Sequence, residues 1–214
     1  MAFDCSEEER PLTEAEKRRL EKFEALSEEM EEKGYRKTEL TVGLKRANST
    51  ALVVFLPFGI LFFVLFFVRN SMASFHATIG SFLILIVAFL VLTVVHELLH
   101  GIVWGIFAEH RFRDIEFGYV KESFTPYCTC KAPLRKAPYL VGALAPFVIL
   151  GLIPCVIAVF NGSFLLLILG LCMIAGAGGD ILIALKLLKY RSRAKETLYY
   201  DHPTKPGSVV FELD

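Results

Sequence analysis

The sequence predicts an all-α membrane protein: four transmembrane helices, a cytosolic N-terminal helix and a short β-like loop between spans 2 and 3. Two observations carry this expectation. The first is a split composition. The chain has 214 residues, 54% of them hydrophobic, and a mean hydropathy of +0.51, yet residues 1–50 are mostly charged and polar while residues 51–188 are mostly apolar. The second is the placement of the basic residues. Ten Lys/Arg precede the first apolar run, one follows it, six lie in the second loop, none in the third and six follow the fourth run. Basic residues collect on the cytoplasmic side, so this alternation fits a multi-pass protein of the cell membrane with both termini in the cytosol. Lys+Arg and Asp+Glu are 23 each, so the net charge itself says nothing about partners.

The elements follow in chain order. Residues 1–50 read as a cytosolic helical segment. "LTEAEKRRLEKFEALSEEMEEKG" opens on Thr13 and Glu16, spaced as a capping box, and closes at Gly34. Leu20, Phe23, Leu26 and Met30 give it a thin apolar stripe that would dock lightly on the rest of the protein or on the membrane surface. "YRKTELTVGL" alternates partly, as a short strand or an extended lead into the first span. Four apolar runs then build a membrane domain over residues 51–188: Ala51–Val68, Phe82–Ala108, Tyr139–Phe160 and Phe164–Leu185. A bilayer core of ~30 Å takes ~20 helical residues, and each run comes close to that or exceeds it. The first run starts too far along the chain, behind too much charge, to read as a signal peptide. Between spans 2 and 3, "FRDIEFGYVKESFTPYCTCKAPLRKAPY" lacks a helical period and carries aromatic residues, Gly118 and Pro126, so one or two short strands are expected there. Residues 189–214 read as a cytosolic tail. The five cysteines are scattered and odd in number, which implies no disulfide framework.

The chemistry sits in the second span. His96-Glu97-Leu98-Leu99-His100 is H-E-x-x-H. On a helix, residues i and i+4 share a face, so both imidazoles can reach one metal ion, with Glu97 beside them as a proton acceptor. Imidazole donors suit Zn²⁺, and a catalytic zinc site has three protein ligands and one open position. Ionisable groups inside a span cost ~2.5–3.5 kcal/mol each, so an idle trio is not expected there. The third ligand must come from elsewhere. Glu109, His110, Asp114, Glu116 and Glu122 lie in the polar loop, whereas Asp180 is the one acid of the fourth span. His96 and His100 are 14 and 18 residues past Phe82, and Asp180 is 16 past Phe164. At 1.5 Å per residue these are ~21, ~27 and ~24 Å along helices that run the same way. Matching depth selects Asp180. Gly176, Gly178 and Gly179 would let the fourth helix approach a neighbour closely, or unwind to aim the carboxylate. His110 would lie ~15 Å beyond His100 on a straight helix, too far to join the same metal.

"HELLHG" in a span, "YC" after it, "ALAPF" in the next span and "GGD" in the last together resemble a bacterial multi-pass membrane family of zincin peptidases. That family is similar in style to the site-2 proteases, the intramembrane zinc metalloproteases. The resemblance covers roughly residues 39–188. It implies zinc on His96, His100 and Asp180, Glu97 as the catalytic base, and a role for Pro146 in shaping the site. Site-2 proteases carry a short strand that holds an unwound substrate by backbone pairing, and residues 117–130 would be its counterpart. Tyr127 and Cys128 are then the candidate substrate-binding residues, Tyr127 as an oxyanion donor. One departure is plain. Site-2 proteases carry an Asn-x-x-Pro segment before an Asp-Gly pair, whereas here Ile181 follows Asp180 and no such Asn precedes it.

The expected activity is therefore zinc-dependent hydrolysis of a peptide bond near the cytosolic membrane face. The expected partners are the lipid bilayer and a peptide or membrane-protein substrate, with no nucleic acid. Two other readings use the same polar cluster: a catalytically silent membrane scaffold, and a metal or proton transporter with His96, Glu97, His100 and Asp180 as its relay. Cys128-x-Cys130 lacks the spacing and the second pair of a standard zinc knuckle, and reads as ordinary loop cysteines.

Overall fold

A computed structural model describes residues 12–70, 78–120 and 125–214. Cys5 and Glu122 lie outside the described residues. The chain is mostly helical. Helix α1 (Glu14–Glu32) leads into strand β1 (Arg36–Thr41), then α2 (Leu44–Arg69) and α3 (Ile79–Phe107). A 3₁₀ turn at Arg111–Asp114 precedes a hairpin of β2 (Ile115–Val120) and β3 (Thr125–Cys130), and β4 (Leu134–Arg135) follows. Helices α4 (Lys136–Pro146), α5 (Ile153–Asn161), α6 (Phe164–Gly176) and α7 (Gly178–Lys189) come next, and β5 (Glu196–Asp201) and β6 (Gly207–Leu213) close the chain.

Among the described residues, three helices are long and apolar enough to cross a membrane: residues 52–69, 79–107 and the continuous helix 136–161. Helices α6 and α7 count as a fourth only if taken as one span, because they meet at a 50° bend. Their core is apolar and aromatic. Phe62 and Phe66 of α2 pack with Cys155, Ala158 and Val159 of α5 and with Leu167, Leu171 and Ile174 of α6. Large apolar side chains of α2 and α3, such as Val68, Phe82 and Leu90, are exposed instead, as a lipid-facing surface would be. The α5–α6 connection is a tight turn, with Gly162 in the left-handed conformation at φ 74°.

The all-α expectation needs correction, because the chain also builds two small sheets. β2 and β3 form the antiparallel pair expected between spans 2 and 3, with Phe117 opposite Cys128. The second sheet has the order β1-β6-β5-β4 and joins segments from far apart in the chain. Arg36 pairs with Glu212, Leu198 with Phe211 and Leu134 with Tyr199. Residues 196–213, which read as tail, are thus the central hairpin of this sheet. "YRKTELT" resolves as a strand because β6 offers it an edge. Helix α1 starts at the predicted capping box, Thr13 and Glu16 bonding reciprocally. Its stripe docks firmly on the sheet: Phe23 and Met30 are buried against Tyr200, Val209 and Phe211. Burying two such side chains contributes roughly 1.5–3 kcal/mol each.

Candidate metal centre

The C-terminal half of α3 carries the H-E-x-x-H motif, and His96 and His100 are both buried. One turn apart on one face, their rings lie 4.9 Å centroid to centroid. Asp180 reaches them from α7. Its Oδ2 is 3.1 Å from His96 Nε2 and 3.6 Å from His100 Nε2. One ligand atom from each of the three residues lies within 4.8 Å of the others, so the group could hold a metal ion.

The break at Ala177 brings Asp180 here. It ends α6 and starts α7, so Asp180 falls in the first turn of a new helix. A helix N-terminus carries partial positive charge and favours a carboxylate. Of the two roles left open for the glycines, the structure takes the break. A Cβ at Gly176 or Gly179 would meet nothing within 4 Å, so neither serves close packing.

A carbonyl can only accept, so His100 donates from Nδ1 to the Gly142 carbonyl of α4, at 2.9 Å. That fixes the tautomer and leaves Nε2 with the free lone pair, turned toward Asp180. The Gly142 carbonyl is free to accept because its helical partner four residues on is Pro146, which has no N–H. Directly after Pro146 the helix widens to a π-helical segment, Phe147–Leu152, before resuming as α5. Trp104, one turn beyond His100, stacks on that imidazole at 5.0 Å and donates Nε1–H to the Tyr139 carbonyl at 3.1 Å. Gly142 also makes room for the indole, because a Cβ there would overlap the Trp104 ring.

Glu97 projects beside the three residues, and the Cys128 backbone N–H of β3 faces its carboxylate. The hairpin reaches this position by packing on α3, where Gly101 and Gly105 leave room for the rings of Phe117 and Phe112. This Gly-x-x-x-Gly pair was legible as a close-approach signal, although it receives a hairpin and not another helix. Strand alternation turns Tyr127 to the face opposite Cys128. There its ring lies under the Arg19 guanidinium of α1, 4.3 Å from the centroid. Cys128 is at the site through its backbone, and Tyr127 is not brought to it. Cys128 and Cys130 are buried thiols. Burial, with the Asp201 carboxylate nearby, raises both above the usual thiol range, Cys130 to about 12.

Among the described residues, the loop candidates lie apart from this group. His110 pairs with Asp114 at 3.4 Å, and Glu116 faces Lys22 at 3.6 Å. Glu109 is exposed. His202 lies in the β5–β6 turn, where Nδ1 accepts from the Lys205 backbone.

The donor set fits zinc. Two imidazole nitrogens and one carboxylate oxygen suit that ion. Ligands ~2.0–2.1 Å from a tetrahedral centre lie about 3.3–3.4 Å apart, close to the 3.1 and 3.6 Å separations from Asp180 Oδ2. Fold and site thus define a helical chain with long apolar helices and, built on H-E-x-x-H, a His96, His100 and Asp180 group that could hold a metal ion. The chain belongs to the family described as "Putative zincin peptidase", whose model matches residues 89–195. Zn²⁺ is the metal this family implies, and the His96, His100 and Asp180 group could hold it. No curated protein and no solved structure matches the chain.

Proposed function

We propose that this chain is an intramembrane zinc peptidase of the site-2-protease type, hydrolysing a peptide bond near the cytosolic membrane face. The observation that carries the reading is the convergence of His96, His100 and Asp180 from two helices, with Glu97 beside them and facing β3. Zinc, when bound there, supplies Lewis acidity that acidifies a water and polarises a substrate carbonyl. Glu97 would be the proton carrier of this site, accepting a proton from the attacking water at its carboxylate and passing it to the leaving amine. Gly142 and Trp104 keep His100 in its ligating tautomer and orientation. Substrate is a peptide or membrane protein whose unwound backbone runs beside β3, next to the Cys128 N–H.

The second sheet supports four spans. β1, β4 and the β5–β6 hairpin share it, so the chain must return to one membrane face after α2–α3 and again after α4–α7. Each excursion then needs an even number of crossings, which favours the bent α6–α7 pair as one span. The basic residues that flank these strands support the cytosol as that face. On this reading residues 1–50 and 189–214 are cytosolic segments around a membrane domain of residues 51–188.

The test is the full chain purified in detergent, assayed for bound metal and for cleavage of dye-labelled casein, beside Glu97→Gln. The expected result is one zinc per chain in both proteins and a loss of cleavage of at least about 100-fold in the variant. Wild type without zinc, or cleaving no faster than Glu97→Gln, overturns the reading. Zinc with no turnover is the outcome a silent scaffold requires.

A further inference from the structure

The groups around the metal centre come from three elements besides α3: α7 gives Asp180, α4 gives the Gly142 and Tyr139 carbonyls, and β3 gives the Cys128 N–H. α4 and β3 are joined by one side chain. Asp201 is the last residue of β5. Its Oδ1 accepts from Tyr139 Oη at 2.5 Å, and its Oδ2 accepts from the Cys130 N–H at 3.0 Å. Tyr139 is buried, and its ring lies 5.7 Å from Trp104, the ring stacked on His100. Cys130 is two residues from Cys128 on the same strand, so its N–H leaves β3 along the same edge. Asp201 therefore holds the strand that faces Glu97, and the helix that orients His100, on the two oxygens of one carboxylate.

The backbone of Asp201 is itself fixed, paired opposite Ser208 in the second sheet. That sheet packs with the same core, where Tyr199 and Val210 join Trp104, Tyr139 and Cys130. Residue 201 also lies beyond residues 89–195, the part of the chain that the family model matches. The C-terminal hairpin thus contributes to a site whose ligands and base all lie upstream of it.

We propose that Asp201 is a positioning residue for the Glu97 base, setting the distance between β3 and α4 so that the Cys128 N–H holds the Glu97 carboxylate against the ligand trio. The proposal deepens the peptidase reading and rests on it. Asp201 touches no metal ligand and is not a catalytic residue. Its removal should leave metal loading intact while lowering the rate of the step that Glu97 performs. Tyr139→Phe removes only the arm to α4. Asp201→Asn keeps an amide oxygen that can accept one of the two bonds.

The test uses the full chain in detergent, with Asp201→Ala, Asp201→Asn, Tyr139→Phe and Glu97→Gln compared by three measurements. These are zinc content, amide hydrogen exchange across residues 125–130, and kcat and KM on dye-labelled casein. For Asp201→Ala we expect one zinc per chain, exchange in β3 faster by about tenfold, and kcat lower by 10–100-fold with KM within twofold, the range seen when groups supporting a metal site are removed. Asp201→Asn should recover part of the loss, and Tyr139→Phe should leave β3 exchange at the wild-type rate. The positioning role is overturned if Asp201→Ala keeps wild-type kcat or wild-type exchange in β3. It is equally overturned if all Asp201 and Tyr139 variants lose zinc and melting temperature together, the mark of a purely structural residue. Failure of the peptidase reading looks different: Glu97→Gln then matches wild type.

Discussion

His100 donates its Nδ1 proton to the Gly142 carbonyl across 2.9 Å, and this bond decides which nitrogen of the ring faces Asp180. The relationship depends on two absences in the sequence. Pro146 lacks the N–H that would otherwise occupy that carbonyl, and Gly142 lacks the Cβ that would displace Trp104. Gly142→Ala should therefore lower zinc affinity by about 10–100-fold, as loss of a ligand's supporting partner does. Competition with a chelator at fixed pH measures it. Unchanged affinity would mean that the Trp104 stack does not hold the ligand.

Asp180 is the residue that separates this candidate site from a two-histidine pair. Asp180→Asn keeps its size and removes its charge, and the purified protein should retain less than about a tenth of the wild-type zinc, since a charged oxygen donor is lost from a three-ligand set. Glu109→Gln and Asp114→Asn should retain it all, because Glu109 is exposed and Asp114 is paired with His110. Elemental analysis of the three variants distinguishes them. A full zinc load in Asp180→Asn would return the third ligand to the loop.

The helices behind the site pack at small residues. A Cβ at Gly170 would lie 2.7 Å from Cys155 Sγ and 3.1 Å from both the Cys155 nitrogen and the Gly151 carbonyl. Backbone cannot swing aside as an exposed ring can, so Gly170→Ala should lower stability by roughly 1–3 kcal/mol, the usual cost of overpacking. Thermal unfolding in detergent reads this. A neutral result would show that α5 and α6 can separate without penalty.

The buried thiols give a pH dependence. Cys128 and Cys130 are raised above the usual range in the folded chain, Cys130 to about 12, mainly by burial. The unfolded thiols titrate near ~8.5. A group raised on folding stabilises fully below its unfolded value and loses that contribution as pH rises toward its folded value. Stability should therefore fall between about pH 8.5 and 12. At pH 8, iodoacetamide should modify residues 128 and 130 only after unfolding, because the thiolate is the nucleophile. Peptide mapping checks it, and rapid modification of the native protein would contradict the burial.

The grouping of His96, His100 and Asp180 was legible because both of its signals are one-dimensional. The i, i+4 spacing places His96 and His100 together, and residue counting places Asp180 at their depth. The break at Ala177 was half legible: three glycines announced freedom, but only packing decided that it would become a bend. The second sheet was not legible. "ETLYYD" and "GSVVFEL" lie beyond the last apolar run, and β1, the outer partner of the second of them, is more than 160 residues away at Arg36↔Glu212. Their own pairing is local, a hairpin with Pro203 and Pro206 in its connection, but the docking of that hairpin on β1 and β4 is not. Asp201 was missed for the same reason, since its meaning depends on where β5 docks. Tyr127 was named for its place in the loop strand, and which face of that strand it takes depends on alternation and docking.

Trp104 is the one tryptophan in the chain, and its ring is stacked on His100. Every photon of indole emission therefore comes from a single address beside the metal centre. A paramagnetic ion such as cobalt entering that centre should quench it. The intact protein thus carries its own optical gauge of occupancy, readable in detergent or in lipid vesicles without a label.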